Sequence, residues 1–185
     1  MPEERRSRAG TLSLVHRAAV PDVGLVPDVF ETLALADAGA RGVAVLNRTP
    51  ERAATAAALA GRAGSVVRPG EEALAEAVGS ADLVVNATPF GMAGASPEGS
   101  VPWLVAPGLL HAGQVAADLV YAPRPTPWLV AAAAAGARSV DGLGMLVHQA
   151  AAQLVLWTGE AAPVEAMWEA AEVAEAANPS ESPEA

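Results

Sequence analysis

The fold class this sequence predicts is α/β: a doubly wound, mostly parallel sheet with flanking helices, whose first βα unit is degenerate. Three observations carry the prediction. Short apolar runs, Val43-Ala44-Val45-Leu46, Asp82-Leu83-Val84-Val85 and Val115 to Tyr121, recur between alanine-rich stretches of helical length. Two of them are followed closely by the helix-start pairs Thr49-Pro50 and Thr126-Pro127. The composition, 52% hydrophobic and 17% charged over 185 residues, is that of one globular domain with helices packed closely on a sheet.

Residues 1–28 read as an irregular or degenerate first unit, within which Thr11-Leu12-Ser13-Leu14-Val15 alternates like a short strand. Pro21 to Asp28 has the residues of a loop, and Asp28 is placed to cap a helix running to Ala38 and ended by Gly39. About 20 residues before Asn47, a dinucleotide-binding fold should carry glycines that let the backbone approach a pyrophosphate. Only Gly24 stands in that loop; no G-x-G-x-x-G occurs in any register, and Pro21 and Pro27 remove amide donors.

Residues 29–176 form the predicted domain proper. Val43 to Leu46 is its first buried strand, followed by a helix that Thr49 can cap with its hydroxyl, that Pro50 suits at the first position, and whose positive end Glu51 favours. That helix runs to Gly61; Ser65-Val66-Val67-Arg68 is the next strand and Glu71 to Val78 the next helix. Asp82 to Val85 delivers Asn86-Ala87-Thr88-Pro89-Phe90-Gly91-Met92 to the carboxyl edge of the sheet, where open α/β sheets bind ligands. Gly94 to Pro102 is a mobile loop by composition. Val115 to Tyr121 is a further strand, and Thr126-Pro127 opens a helix ending near Gly136. Arg138-Ser139-Val140 is a short last strand, and Asp141-Gly142 opens a helix through Gln149 to Trp157. Pro163 to Ala176 is a final helix with one apolar face, Val164, Met167, Trp168 and Ala171, before a polar, disordered tail at 177–185.

Composition also narrows the chemistry. The chain has no cysteine, which excludes disulfides, thiolate metal sites and a cysteine nucleophile. All eleven basic residues are arginine, so neither a Schiff base nor a lysine general acid is at hand. A formal charge of −10 argues against nucleic acid or an anionic membrane as partner. No apolar run reaches the length of a membrane span, so the expectation is a cytoplasmic protein. His16, His111 and His148 are isolated in the sequence, with no metal-ligand spacing.

Asn47-Arg48-Thr49-Pro50-Glu51-Arg52 reads in two ways. Arginines at the exit of this strand accommodate the 2′-phosphate of NADP, where an acidic residue would hold the 2′-hydroxyl of NAD; alternatively, Arg48 and Arg52 are surface charges on a solvated turn.

Four blocks, in order and spacing, resemble the carboxyl-terminal NADP-binding domain of the shikimate dehydrogenase family. They are Asn47-Arg48-Thr49 with Arg52; Asn86-Ala87-Thr88-Pro89 with Gly91-Met92; Asp118 with Tyr121-Ala122-Pro123 and Thr126-Pro127; and Asp141-Gly142-Leu143-Gly144-Met145-Leu146-Val147 with Gln149-Ala150-Ala151 and Trp157-Thr158-Gly159. The resemblance covers roughly Leu33 to Met167 and implies a Rossmann-like sheet. It implies that Asn47, Arg48, Thr49 and Arg52 hold the adenosine ribose and its 2′-phosphate, and that Asn86, Ala87 and Thr88 line the ribose and nicotinamide side. Leu119 and Gly142 fall where the family presents backbone groups to the nicotinamide. Met145 either presses on that ring or fills core. Tyr121 and Gln149 resemble contacts to the hydroxyls and carboxylate of shikimate or 3-dehydroshikimate. The family's serine pair, lysine and aspartate lie in an amino-terminal domain that this sequence does not contain. The resemblance therefore implies no catalytic residue here, no resident metal, and NADP as cofactor. Two functions follow as expectations: NADP-dependent interconversion of 3-dehydroshikimate and shikimate, or a non-catalytic nucleotide-binding remnant or subunit needing a catalytic domain in trans. The chain alone is expected to be inactive. Surface left bare by the absent domain predicts a catalytic-domain partner or self-association.

Overall fold

The computed structural model describes residues 11–16, 27–47, 49–67, 70–92 and 105–177. Six strands, β1 Thr11–His16, β2 Gly42–Asn47, β3 Gly64–Val66, β4 Ala81–Asn86, β5 Val115–Asp118 and β6 Arg138–Val140, form one sheet in the order β3-β2-β1-β4-β5-β6. Every adjacent pair is parallel. This is the doubly wound order, built from two halves that diverge from the crevice between β1 and β4. The expected strand at Thr11 to Val15 therefore takes a central place, paired on both sides.

Register aligns the strand ends. His16 lies opposite Asn47, Val15 opposite Asn86, and Asn86 opposite Asp118, so polar residues form a row along the carboxyl edge. Right-handed crossovers put the helices of the two halves on opposite faces of the sheet. In the first half, α1 Pro27–Asp37 and α2 Pro50–Leu59 pack on β2, and α2 also on β3. Their core joins Val43 and Val45 to Ala53, Ala56, Ala57 and Ala60, small side chains that let helix and sheet approach closely. A Cβ at Gly64 would collide with the Ala57 carbonyl, which explains the glycine at the start of β3.

In the second half, α3 Glu71–Gly79 packs on β4 and α4 Pro127–Ala134 on β5 and β6. The core there is Val78, Val84, Ala116, Trp128, Leu129 and Ala132, with the Trp128 indole donating to the Val105 carbonyl at 3.2 Å. At the amino edge of the sheet the buried Gln114 donates to the carbonyls of Val78 (2.6 Å) and Ala81 (2.8 Å) and accepts from the His111 amide (2.9 Å). α5 Leu143–Thr158 buries Leu143, Val147 and Ala151 and packs against α6 Val164–Ala177. The α6 face at Val164, Met167, Trp168 and Ala171 is the half-buried one, as its spacing predicts. No described helix is long and apolar enough to cross a membrane.

Four details depart from the sequence reading. Thr49 stands at the cap position of α2 without a side-chain cap bond, while its amide donates to Asn47 Oδ1 at 2.9 Å. α1 begins at Pro27, one residue before the expected cap Asp28. β3 is shorter than Ser65 to Arg68, although the Val67 amide still donates to the Val45 carbonyl at 2.9 Å. β5 stops at Asp118 rather than Tyr121: the Leu119 amide still reaches the Asn86 carbonyl at 2.9 Å, but the Val120 amide turns back to Asp118 Oδ1 at 3.0 Å and ends the ladder. The loop around Gly24, the segment Gly94 to Pro102, Arg48 and the tail beyond residue 177 lie outside the described residues.

Candidate functional site

The carboxyl edge collects the sequence-predicted residues at four strand exits. At the exit of β2, the buried Asn47 ends the strand, its side-chain oxygen fixing the Thr49 amide, and Arg52 sits exposed in the first turn of α2. Arg52 is the positive charge described at that exit. The Thr49 hydroxyl makes no cap bond, and the helix dipole adds further positive potential there.

At the exit of β4, Asn86 is spent within the protein. Its Nδ2 donates to Asp118 Oδ1 at 2.9 Å and to the Phe90 carbonyl at 3.3 Å. Its Oδ1 accepts from the Thr88 hydroxyl at 2.6 Å and the Thr88 amide at 3.1 Å. The Thr88 hydroxyl in turn accepts from the Phe90 amide at 3.2 Å, and Ala87 and Thr88 are buried. The polar side chains of this segment thus shape the turn, and the backbone is what it can offer to a ligand.

At the exits of β5 and β6, Leu119 and Gly142 meet. A Cβ at Gly142 would collide with the Leu119 carbonyl, so only glycine permits this approach. Asp141 Oδ1 accepts from the Leu143 amide at 3.0 Å, at the start of α5, and also from Arg124 Nη1 at 3.4 Å. Arg124 lies in the β5–α4 loop with Tyr121, so this ion pair ties that loop to the start of α5. Tyr121 is 44% exposed. On α5, Met145 and Gln149 share a face turned away from the buried Val147; Met145 is half-buried and Gln149 exposed. His148 turns elsewhere, with its ring edge-on to Trp168 at 6.3 Å.

Asn86, Ala87, Thr88, Leu119 and Gly142 thus form one connected surface in the second half of the sheet, with Tyr121, Met145 and Gln149 on the adjoining loop and helix. Asn47, Thr49 and Arg52 stand on the other side of the switch point. Sequence reasoning assigned no role to Asp118, which is 1% exposed at the centre of the second group. It accepts from Asn86 Nδ2, from the Val120 amide, and from the Thr126 hydroxyl at 2.7 Å, while Thr126 Oγ1 caps α4 by accepting from the Leu129 amide at 3.3 Å. Burial pushes the Asp118 carboxyl above the ordinary aspartate range, and its hydrogen bonds from Thr126, Val120 and Asn86 oppose that rise. The available signal was a carboxylate inside an apolar strand, a group that folding buries only with partners.

Comparison with known proteins places the chain beside the shikimate dehydrogenases. The family described as "Shikimate 5'-dehydrogenase C-terminal domain" matches residues 142–172. A shikimate dehydrogenase (NADP(+)) of Moorella thermoacetica is 44% identical over 138 residues, covering 72% of this chain and 45% of that protein. Among solved structures, quinate dehydrogenase from Corynebacterium glutamicum in complex with NAD aligns with a TM-score of 0.70 at 29% identity, over 90% of this chain and 56% of the other. Shikimate 5-dehydrogenase from Thermus thermophilus in complex with NADP(H) and shikimate aligns with a TM-score of 0.63 at 34% identity, over 88% and 54%. This chain spans about half the length of the relatives it matches.

Proposed function

We propose that this chain, a member of the shikimate dehydrogenase family through its carboxyl-terminal domain, binds NADP(H) along the carboxyl edge of its sheet and serves as the cofactor side of an NADP-linked interconversion of 3-dehydroshikimate and shikimate. The observation that carries the reading is Arg52 with Thr49 at the exit of β2 in a sheet of order β3-β2-β1-β4-β5-β6. In that order the residues after β2 meet the adenosine ribose, and a guanidinium there suits a 2′-phosphate. Asn47 and Arg48 complete this group on the family reading. Across the switch point, the absence of a side chain at Gly142 lets the exits of β5 and β6 close together at Leu119, and the main-chain groups gathered there suit the nicotinamide end of the cofactor. Met145 flanks that ring, and Tyr121 and Gln149 supply hydrogen-bonding groups to the substrate.

The cofactor, when bound, accepts or returns the hydride; this chain's residues bind it and orient it. In the oxidative direction the hydride leaves the carbinol carbon of shikimate and the hydroxyl proton passes to a base, which cannot be a lysine of this sequence. On this reading its compartment is the cytoplasm.

A second reading, a nucleotide-binding module that acts with a catalytic domain in trans, is favoured by two observations. The chain has no lysine, and Leu156 and Trp157 near the end of α5 are 81% and 76% exposed, an apolar surface suited to a partner domain.

Titrating the purified chain and its Arg52→Ala variant with NADPH and NADH tests the cofactor reading. Arg52→Ala is expected to weaken NADPH by about tenfold while moving NADH little, the loss of one charged hydrogen bond to phosphate. Equal loss for the two cofactors refutes the clamp. Assaying shikimate and quinate oxidation with and without a separately produced amino-terminal domain then divides the two readings: turnover by the chain alone refutes the second.

A further inference from the structure

Asp118 stands where three segments of the second half-sheet converge. Asn86 comes from the exit of β4, Val120 from the exit of β5, and Thr126 from the start of α4. Four donors form a chain that ends on the carboxylate, while Asn86 Nδ2 also donates to the Phe90 carbonyl. The Thr88 hydroxyl donates to Asn86 Oδ1, and Asn86 Nδ2 donates onward to Asp118 Oδ1; the Val120 amide donates to the same oxygen and the Thr126 hydroxyl to Oδ2. With the carboxylate 1% exposed, these bonds lie in a medium where each is strengthened and where leaving one unmade is costly. The turn after β4 also faces this cluster: at Gly91, φ +91°, a side chain would point at Thr126, its Cβ 3.6 Å from Thr126 Cβ.

In a sheet of this order the half β1-β2-β3 receives one mononucleotide and the half β4-β5-β6 the other. Asp118 lies wholly in the second half. The groups it orders are the Asn86 to Met92 turn and the Leu119-Val120 main chain, and Leu119 is the backbone against which Gly142 closes. We propose that Asp118 is a positioning residue: its carboxylate locks the β4 and β5 exits into the one arrangement that receives the nicotinamide mononucleotide, without touching it. The adenosine half, organised by Asn47 at β2, does not depend on it.

The inference rests on the NADP reading, and its test separates the two. The full chain is titrated with NADPH and with adenosine 2′,5′-bisphosphate, which carries only the adenosine end. Asp118→Ala and Thr126→Val are each expected to weaken NADPH by about tenfold or more and to leave the bisphosphate within about twofold, with Thr126→Ser restoring NADPH binding. A merely structural role would weaken both ligands alike, and that result, or unchanged NADPH binding, overturns the proposal. Should Asp118→Ala fail to fold, the Thr126→Val and Thr126→Ser pair decides alone. Amide hydrogen exchange gives a readout that needs no ligand: the Leu119 and Val120 amides are expected to exchange faster in Thr126→Val and to recover in Thr126→Ser. If the unaltered chain binds neither ligand, the NADP reading falls and with it the nicotinamide role, while exchange still judges the brace: unchanged rates overturn it too.

Discussion

Asn86 and Asp118 are register partners on adjacent parallel strands, and their side chains are joined by a 2.9 Å hydrogen bond at the carboxyl edge of the sheet. The bond links two turns 32 residues apart in sequence, and it makes the protonation state of a buried carboxyl part of the geometry of the candidate site.

Burial raises the Asp118 carboxyl above the ordinary aspartate value, so the folded state holds its proton to higher pH than the unfolded chain does. Its contribution to stability is therefore greatest below the ordinary value, declines as pH rises from there to the folded midpoint, and is constant above it. The Thr126 hydroxyl opposes the rise, so Thr126→Val should move the midpoint further up. Carboxyl carbon NMR titration checks this: a midpoint at or below that of exposed aspartates, or a downward move in Thr126→Val, contradicts it. Asp118→Asn should remove this acid-side slope from the pH dependence of urea unfolding.

Gly142 has no room for a side chain beneath the Leu119 carbonyl. Gly142→Ala must push the start of α5 away from β5, and overpacking of this kind costs about 1–3 kcal/mol. Urea denaturation of the two proteins measures it. An alanine variant as stable as the parent would mean that the Leu119 and Gly142 backbones do not approach as described.

The strand exits and helix starts were legible because they are local. A run of buried strand residues followed by Thr-Pro declares itself over a short stretch of chain, and the apolar face of α6 is written in the spacing of Val164, Met167, Trp168 and Ala171. The site group at Asn86 to Thr88, Leu119 and Gly142 was legible only through the resemblance of whole blocks, since neither a lone asparagine nor a lone glycine carries that meaning. What sequence could not display was long-range. Asp118 finds Asn86 across two strands, Arg124 finds Asp141 across 17 residues, and each competes for groups that local rules assign elsewhere. Thr49 departs from a local rule as well: its position and type mark a hydroxyl cap, yet no cap bond forms and its amide instead donates to the Asn47 side chain.

His111 links pH to stability at the opposite edge of the sheet. Its Nδ1 lies 2.8 Å from the Ala112 carbonyl and its Nε2 3.2 Å from the Gly79 carbonyl, so only the protonated ring donates to both. These two bonds raise its pKa above 6.5, the Ala112 bond more than the Gly79 bond. The stabilisation is present in full below the unfolded value and is lost as pH rises through the folded one. As pH rises from the ordinary histidine value to the raised folded one, the parent should lose unfolding free energy, and His111→Ala should lessen that fall. Identical slopes for parent and variant would show that the two carbonyls do not hold the ring.

The end of α5 carries the last consequence. Val155, Leu156 and Trp157 are 44%, 81% and 76% exposed on consecutive positions, although α6 packs against the same helix. Large apolar side chains exposed at one helix end are costly to leave in water and favour association. Sedimentation velocity on the isolated chain is expected to show mass-dependent self-association, and Leu156→Glu with Trp157→Glu should return it to monomer. Because exposed positions usually change stability by no more than about 0.5 kcal/mol, the double variant should unfold at nearly the same urea concentration as the parent. Loss of folding in that variant would show these side chains to be part of the core, whereas a parent that sediments as a single monomer at all concentrations would show that α5 needs no cover.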